Sequence, residues 1–584
     1  MSKLPVLWDN STRKEVYDVL VDLWPQLDDP SRSELVDRIT AGPPAFLTDH
    51  LPVADREHFR ARRIFERLRI MQRADATRPH AGLDAALAHI LEQHPGWIVA
   101  PGEQAHFAIF SQFGQRTLGA PDDTELLSSM SPEEVIAKLL QDERERVLEA
   151  WSDVAASDWA KMTAVLEGVA EQRGPDPELW ATTLSGLRTR AASPLQGESV
   201  LDLIADLEPS LAQNPSVASA AAYLLESSAS SSQFKSAPLD DFWRAFDAVA
   251  LGVSLDEANV ELPDDGDWIS LSINTSMGNI ALAFINAMFA LRLVVGGGIP
   301  SDLRERFVWL IGQGSNRHRP ARVVLASRLS YLFAIDPELT RSHLLPSFRW
   351  SEDESEATAV WQGFGWQPHL DPLLWAEIKS DILGCFAETR IARFGRAGES
   401  LAQVIAAAGI QPGFDDLPRQ ATQMALRRMP SQTRADMLQW LAGAITSDGE
   451  QGANADVIWE QKIKPWIQKF WPRDPMSHSA SEVRPWVEIA LATNDTFEDA
   501  VETIRPFIRR SDSADALRDL AGSPHPDSHP RAALRLMGSF LSPDTQFWSF
   551  DDLSRVLDTV VEAEPALRDN PIYVQWSEFR QTRL

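Results

Sequence analysis

Cysteine is all but missing from this sequence of 584 residues, with Cys385 the single thiol. One cysteine excludes an internal disulfide framework and a cysteine-built zinc site within one chain. Long apolar runs are lacking too. The longest, Ile280 to Gly298, is broken by Asn286 and Arg292. It falls short of the roughly 20 mostly apolar residues a membrane helix needs and reads as a buried core helix. Met1-Ser2-Lys3-Leu4-Pro5 carries no apolar signal region, so the expectation is a soluble, cytoplasmic chain with no membrane partner. Positive charge is scarce: 55 Lys+Arg stand against 84 Asp+Glu, a net charge of −29. Phosphate backbones require cationic footprints, so a generally nucleic-acid-binding surface is disfavoured. A local basic site, or a surface that mimics an acidic polymer, stays open.

Recognisable catalytic motifs are absent as well. No G-x-x-x-x-G-K-[ST] phosphate loop, G-x-S-x-G elbow or H-E-x-x-H pair occurs. Gly296-Gly297-Gly298 follows Leu293-Val294-Val295 without dinucleotide spacing and reads as a helix end and turn. Two stretches carry the letters of a metal-dependent nuclease: Asp371 with Glu377-Ile378-Lys379, and Asp456 with Glu460-Gln461-Lys462. Both lie in helical patterns, with spacing too short to bring two strands together, so solvated helix faces are expected. Ser232-Gln233-Phe234-Lys235 falls in a serine-rich join. Cys385 sits in apolar Ile382-Leu383-Gly384-Cys385-Phe386 and reads as an inert core thiol. His525 and His529 are surrounded by Pro524, Pro526 and Pro530, which favour a turn over a metal pair. The acidic stretch holding Asp256, Glu257, Glu261, Asp264, Asp265 and Asp267 lacks the ligand order of a calcium loop. No catalytic residue, cofactor or metal is expected.

What the chain does contain is a globular composition, 44% hydrophobic and 24% charged, with 20 Trp against four Tyr. Such a surplus of indoles predicts helices stapled together by buried rings. Ser131-Pro132-Glu133-Glu134 is a capping box with proline at the first helical position, followed by Val135, Ile136, Leu139 and Leu140 at helical spacing. Ser351 with Glu354 reads the same way. Trp268-Ile269-Ser270-Leu271-Ser272-Ile273 is the best strand-like alternation, and it is short. Helix after helix with brief turns predicts an all-α fold, an irregular HEAT-like α-solenoid of two or three helical subdomains, although no fixed period emerges. Weak points at Ser227 to Ser232, Leu251 to Asp267 and Thr446 to Ala455 suggest boundaries, and the first and last of them divide the chain into 1–235, 236–445 and 456–584.

Two clusters of positive charge stand out as candidate partner-binding sites. One is Arg317, His318, Arg319 and Arg322, with Arg328 beyond. The other is Lys462, Lys464, Lys469 and Arg473, interleaved with Trp466, Phe470 and Trp471. Cation and aromatic together can take a phosphate, a base or an acidic protein face. Pairing with the surplus carboxylates is the competing account. Trp350, Trp361 and Trp366 are further candidates and are expected in the core.

Several stretches carry a resemblance: Ile273-Asn274-Thr275-Ser276-Met277-Gly278-Asn279-Ile280-Ala281, Leu344-Leu345-Pro346-Ser347-Phe348-Arg349-Trp350, and Ala359-Val360-Trp361-Gln362-Gly363-Phe364. Trp459-Glu460-Gln461-Lys462-Ile463-Lys464-Pro465-Trp466, Phe470-Trp471-Pro472 and Leu23-Trp24-Pro25 extend it. Residues 240–510 in this way resemble a helical family of unknown function found C-terminal to sirtuin-like domains in bacterial anti-phage defence proteins. The resemblance implies a regulatory or sensing role whose chemistry belongs to a sirtuin-like domain. No such domain is legible here, so no catalytic residue carries over. The expectation is a non-enzymatic scaffold or sensor that binds a protein partner, either an effector subunit or a phage component. The alternatives are a nuclease or NAD hydrolase with an unrecognised site, and a structural subunit or DNA mimic in a nucleic-acid-processing complex.

Overall fold

A computed structural model describes residues 20, 23–43, 56, 60–61, 63–65, 67–69, 71–72, 80–94, 123–140, 144–190, 197–230, 239–255, 266–414, 417–447, 455–511, 513–542 and 550–583. Among these the chain is helical, with no β-strand. It forms two compact units, Met1–Asp123 and Thr124–Leu584.

The first unit closes around Trp24, whose ring has no exposed surface, together with Val36, Ile39, Phe65, Leu68, Leu83 and Leu87. Its helix Asp29–Thr40 starts where the Asp28 carboxylate accepts the Ser31 N–H at 2.9 Å. Helix Ala81–Gln93 packs against it.

The second unit is a two-layer stack in which contacts skip alternate helices. One layer runs through Arg144–Ser157, Pro177–Arg190, Pro215–Ser230, Ser276–Leu291, Arg319–Ala326, Glu354–Trp366, Gly395–Ile410, Ser431–Ser447, Val483–Leu491, Ala514–Gly522 and Phe550–Ala563, each packed on the next. The opposite layer, from Pro372–Gly384, continues through Arg419–Arg428, Lys464–Phe470, Phe497–Ile504, Pro530–Phe540 and Pro571–Arg583. This is the repeat-stacking logic of an α-solenoid. Side-chain bonds between neighbouring repeats measure its period, and the period is irregular. Arg144 reaches Asp176 over 32 residues, whereas Arg434 reaches Glu482 over 48. Turns of variable length absorb the difference, which hides any fixed repeat in the sequence.

Local signals explain the starts of many helices. Ser131 and Glu134 form the expected reciprocal box, at 2.8 and 3.3 Å. Ser351 does not cap the helix it precedes; Asp353 does, accepting the N–H groups of Ser355 and Glu356 at 2.9 and 3.0 Å. The strand-like run at 268–273 is likewise a helix, Trp268–Ile273, because the Asp267 carboxylate takes up the N–H groups of Ile269 and Ser270. The apolar run from Ile280 enters helix Ser276–Leu291, most of whose side chains are buried.

The compact units divide at 123/124. One apolar core runs through the second unit from Leu127 to Trp576, past the expected joins at 235 and 446–455. Ser227 to Ser230 close helix Pro215–Ser230, and Thr446 and Ser447 close helix Ser431–Ser447. Residues 231–238, 256–265 and 448–454, which hold Ser232, Lys235 and most of the acidic loop, lie outside the described residues.

Candidate interaction surface

The first cationic cluster is turned inward. Arg319 donates from Nε to Glu356 Oε2 at 2.8 Å, and its guanidinium lies 5.1 Å from the Trp268 ring centre. Arg322 donates to both Glu356 oxygens at 2.5 and 2.8 Å, and to the carbonyls of Ile311, Gly312 and Ser315. Only 2% of Arg322 and 9% of Arg319 remain exposed. His318 packs edge-on to Trp309 at 5.2 Å, and burial pulls its imidazole below the usual histidine range. Arg317 is half-buried. Arg319 and Arg322 thus tie helix Arg319–Ala326 to Glu354–Trp366 and are withdrawn from any partner. The competing account, pairing with carboxylates, holds for them.

The second cluster splits. Trp466 and Trp471 are core residues, each 2% exposed, in a ring series that continues from Trp471 to Trp486 at 4.9 Å and from Trp486 to Phe507 at 5.4 Å. Lys464 donates to Asp499 at 2.6 Å, beside the Trp459 indole N–H on the other oxygen at 2.9 Å. Lys462 is half-buried. Lys469 and Arg473 are exposed, with the Lys469 ammonium 4.7 Å from the Phe470 ring centre. Helical phase accounts for the split. The apolar face of Lys464–Phe470 carries Trp466, Ile467 and Phe470 into the core and leaves position 469 outside.

The nuclease-like carboxylates have structural work. Asp371 caps helix Pro372–Gly384 through Leu373 and Leu374. Glu377 pairs with Arg341 at 2.9 Å. Asp456 accepts the N–H groups of Asn494, Asp495 and Thr496 at 3.0 to 3.1 Å. Glu460 and Lys462 lie on a π-helical turn, Trp459–Ile463. Burial pushes the Cys385 thiol well up, consistent with an inert core residue. His525 and His529 sit with ring centres 6.0 Å apart, and His525 stacks on Phe497 instead. Among the described residues, no group of three or more His, Cys, Asp or Glu is placed to hold a metal.

Of the three other tryptophans, Trp361 is buried and donates to Phe348 O at 3.0 Å. Trp350 donates to Asp381 O at 2.7 Å beneath the Arg390 guanidinium. Trp366 is 39% exposed. It borders a polar groove of about 570 Å³ lined also by Asp267, Arg393, Arg396 and Glu399. Gln362 forms the floor, accepting Trp268 N–H and donating to the carbonyls of Gly266 and Arg393. Nothing in the residue spacing marks this groove, because its walls come from three separate stretches of the chain, at 266–270, 362–366 and 392–400.

No family model matches the chain, and neither does any solved structure. An uncharacterized protein of Sinorhizobium fredii (strain NBRC 101917 / NGR234), y4cA, is similar at 24% identity over 322 residues, covering 53% of this chain and 26% of the relative. The chain therefore matches about a quarter of that relative's length.

Proposed function

We propose that this chain is a non-enzymatic helical scaffold or sensor of bacterial anti-phage defence, acting by binding a protein partner. The observation that carries the proposal is the two-layer stack itself: successive helices present one long surface, built from turns that vary from repeat to repeat. Its carboxylates at 371, 377 and 456 are engaged in caps and ion pairs. The defence role is supported by the resemblance of residues 240–510 to the helical regions that accompany sirtuin-like domains. That the similar rhizobial protein is far longer than the matched stretch fits a helical unit working beside other polypeptide. In this reading a phage component favours one arrangement of the array and shifts its population, which releases or assembles the effector.

The test is affinity purification of the tagged protein from its native host, with and without phage, followed by mass spectrometry. A stoichiometric partner carrying effector chemistry is the expected result. A partnerless protein that depletes NAD or cuts DNA overturns the proposal.

A further inference from the structure

Six exposed cations gather where three turns of the second unit meet. Arg427 and Arg428 end helix Arg419–Arg428, Lys469 stands in the last turn of Lys464–Phe470, and Arg473 follows it. Arg509 and Arg510 follow the turn Arg505–Phe507. Contacts between the turns bring them together. The Gln423 amide donates to Lys469 O at 3.0 Å. Arg434 donates to Met429 O and to Ser477 O, both at 2.6 Å, bridging the first turn to the second. His478 lies 3.1 Å from Pro472 O and packs edge-on to Phe507 at 5.8 Å, bridging the second turn to the third.

None of the six forms an ion pair with a described residue, in a chain where acid exceeds base by 29 charges. Other arginines of the same unit do pair: Arg484 with Asp519, Arg531 with Glu564, and Arg535 with Glu498. The negative C-terminal end of a helix accounts for Arg427, Arg428 and Lys469. It does not account for Arg473, Arg509 and Arg510, which lie beyond their helices. Among the described residues, Asp474 is the carboxylate next to Arg473 in the chain, and it accepts the Met476 N–H at 3.1 Å.

Apolar surface is exposed in the same place. Met476 is 91% exposed and Met424 39%. Methionine is a soft anchor suited to an apolar partner side chain. Single-stranded nucleic acid would instead call for rings to stack on, and here Trp466, Phe470, Trp471 and Phe507 are all buried. We infer that this edge docks a partner protein through an acidic segment carrying an apolar residue, which seats on Met476 and Met424 while its carboxylates face the six cations. The inference rests on the reading of the chain as a binding scaffold and names where on it the partner sits.

The experiment places a photo-reactive p-benzoylphenylalanine at position 476 of the full chain in its native host, with a second version at exposed Leu373 on another turn as control. Cross-linked peptides are then sequenced. The expected product from position 476 is a protein segment rich in Asp and Glu around an apolar residue. Its yield falls at least about tenfold when Arg427→Glu, Arg428→Glu and Arg473→Glu are combined, matching the loss of close charge pairs across an interface. Cross-links to nucleic acid or to a segment without acidic character overturn the inference, as does a yield that charge reversal leaves unchanged. A stoichiometric partner that cross-links at Leu373 and not at 476 sinks this docking site while leaving the scaffold reading intact. Circular dichroism of the triple variant, expected to melt as the parent does, separates lost docking from lost fold.

Discussion

Arg434 and Glu482, 48 residues apart, make an ion pair closed off from water, with 7% and 0% of their side chains exposed. Arg434 also takes up the carbonyls of Leu426 and Met429, so it caps the end of one helix while holding the start of another. Arg322 does the same three helices earlier in that layer, capping Ile311 and Gly312 and holding Glu356 across 34 residues. Stacked repeats bury a turn that would otherwise be wet, and its orphan carbonyls then need a cationic donor. The carboxylate balances that donor's charge.

Removing one member of such a pair strands the other. Arg434→Met is expected to destabilise the second unit by about 3–5 kcal/mol, because burial already pushes the Glu482 carboxyl up against the pull of Arg434. Arg434→Met with Glu482→Leu together should recover much of that loss. Urea titration followed by tryptophan fluorescence measures both, and a double variant no better than the single would contradict the account.

Helix packing in the array depends on close approach at glycine. A Cβ built on Gly363 would stand 2.2 Å from Val323 O, between Glu354–Trp366 and Arg319–Ala326. Gly363→Ala is therefore expected to cost about 1–3 kcal/mol. Gly443, within Ser431–Ser447, has nothing within 4 Å of its Cβ position. Gly443→Ala should stabilise by roughly 0.5–1 kcal/mol. The two melting curves are expected to shift in opposite directions.

Acid should weaken the fold through its buried imidazoles. His525 stacks on Phe497 at 4.1 Å and lies 3.2 Å from Leu491 O; burial holds its pKa below the ordinary 6.5. The unfolded chain takes up this proton as pH drops through 6.5, and the folded chain does so only at lower pH. Stability from this group is thus present above pH 6.5 and lost as pH falls below it. His318 acts in the same direction. Urea midpoints at pH 7.5, 6.5 and 5.5 should fall on acidification, and His525→Gln should flatten the fall by at most about 1.4 kcal/mol per pH unit.

The carboxylates that resemble nuclease ligands should behave as caps and surface pairs. Asp371→Ala removes the acceptor for Leu373 and Leu374 N–H and is expected to cost about 1 kcal/mol. Glu377→Gln breaks an exposed pair with Arg341 and should change stability by less than about 0.5 kcal/mol. Differential scanning calorimetry reports both. Metal-dependent DNA cleavage abolished by either substitution would instead put these residues in an active site.

Local chemistry made much of the fold legible before any coordinates. The Ser131 box, the apolar spacing after it and the surplus of tryptophan all announced helices, and a lone cysteine removed whole classes of site. These are short-range effects, set by propensity, capping and period within a few residues. Where a local signal misled, a stronger local one beside it won: Asp267 converts an alternating run into a helix, and Asp353 displaces Ser351 as cap. The role of each cation belongs to another level. Arg322 and Lys469 each stand in a locally basic stretch of the sequence, yet one is sealed against Glu356 and the other faces solvent. That difference depends on which helix arrives 34 residues later and on which face of each helix turns toward it. Charge pairing across repeats is a long-range contact, made only once the layers stack, and only the tertiary structure could assign it.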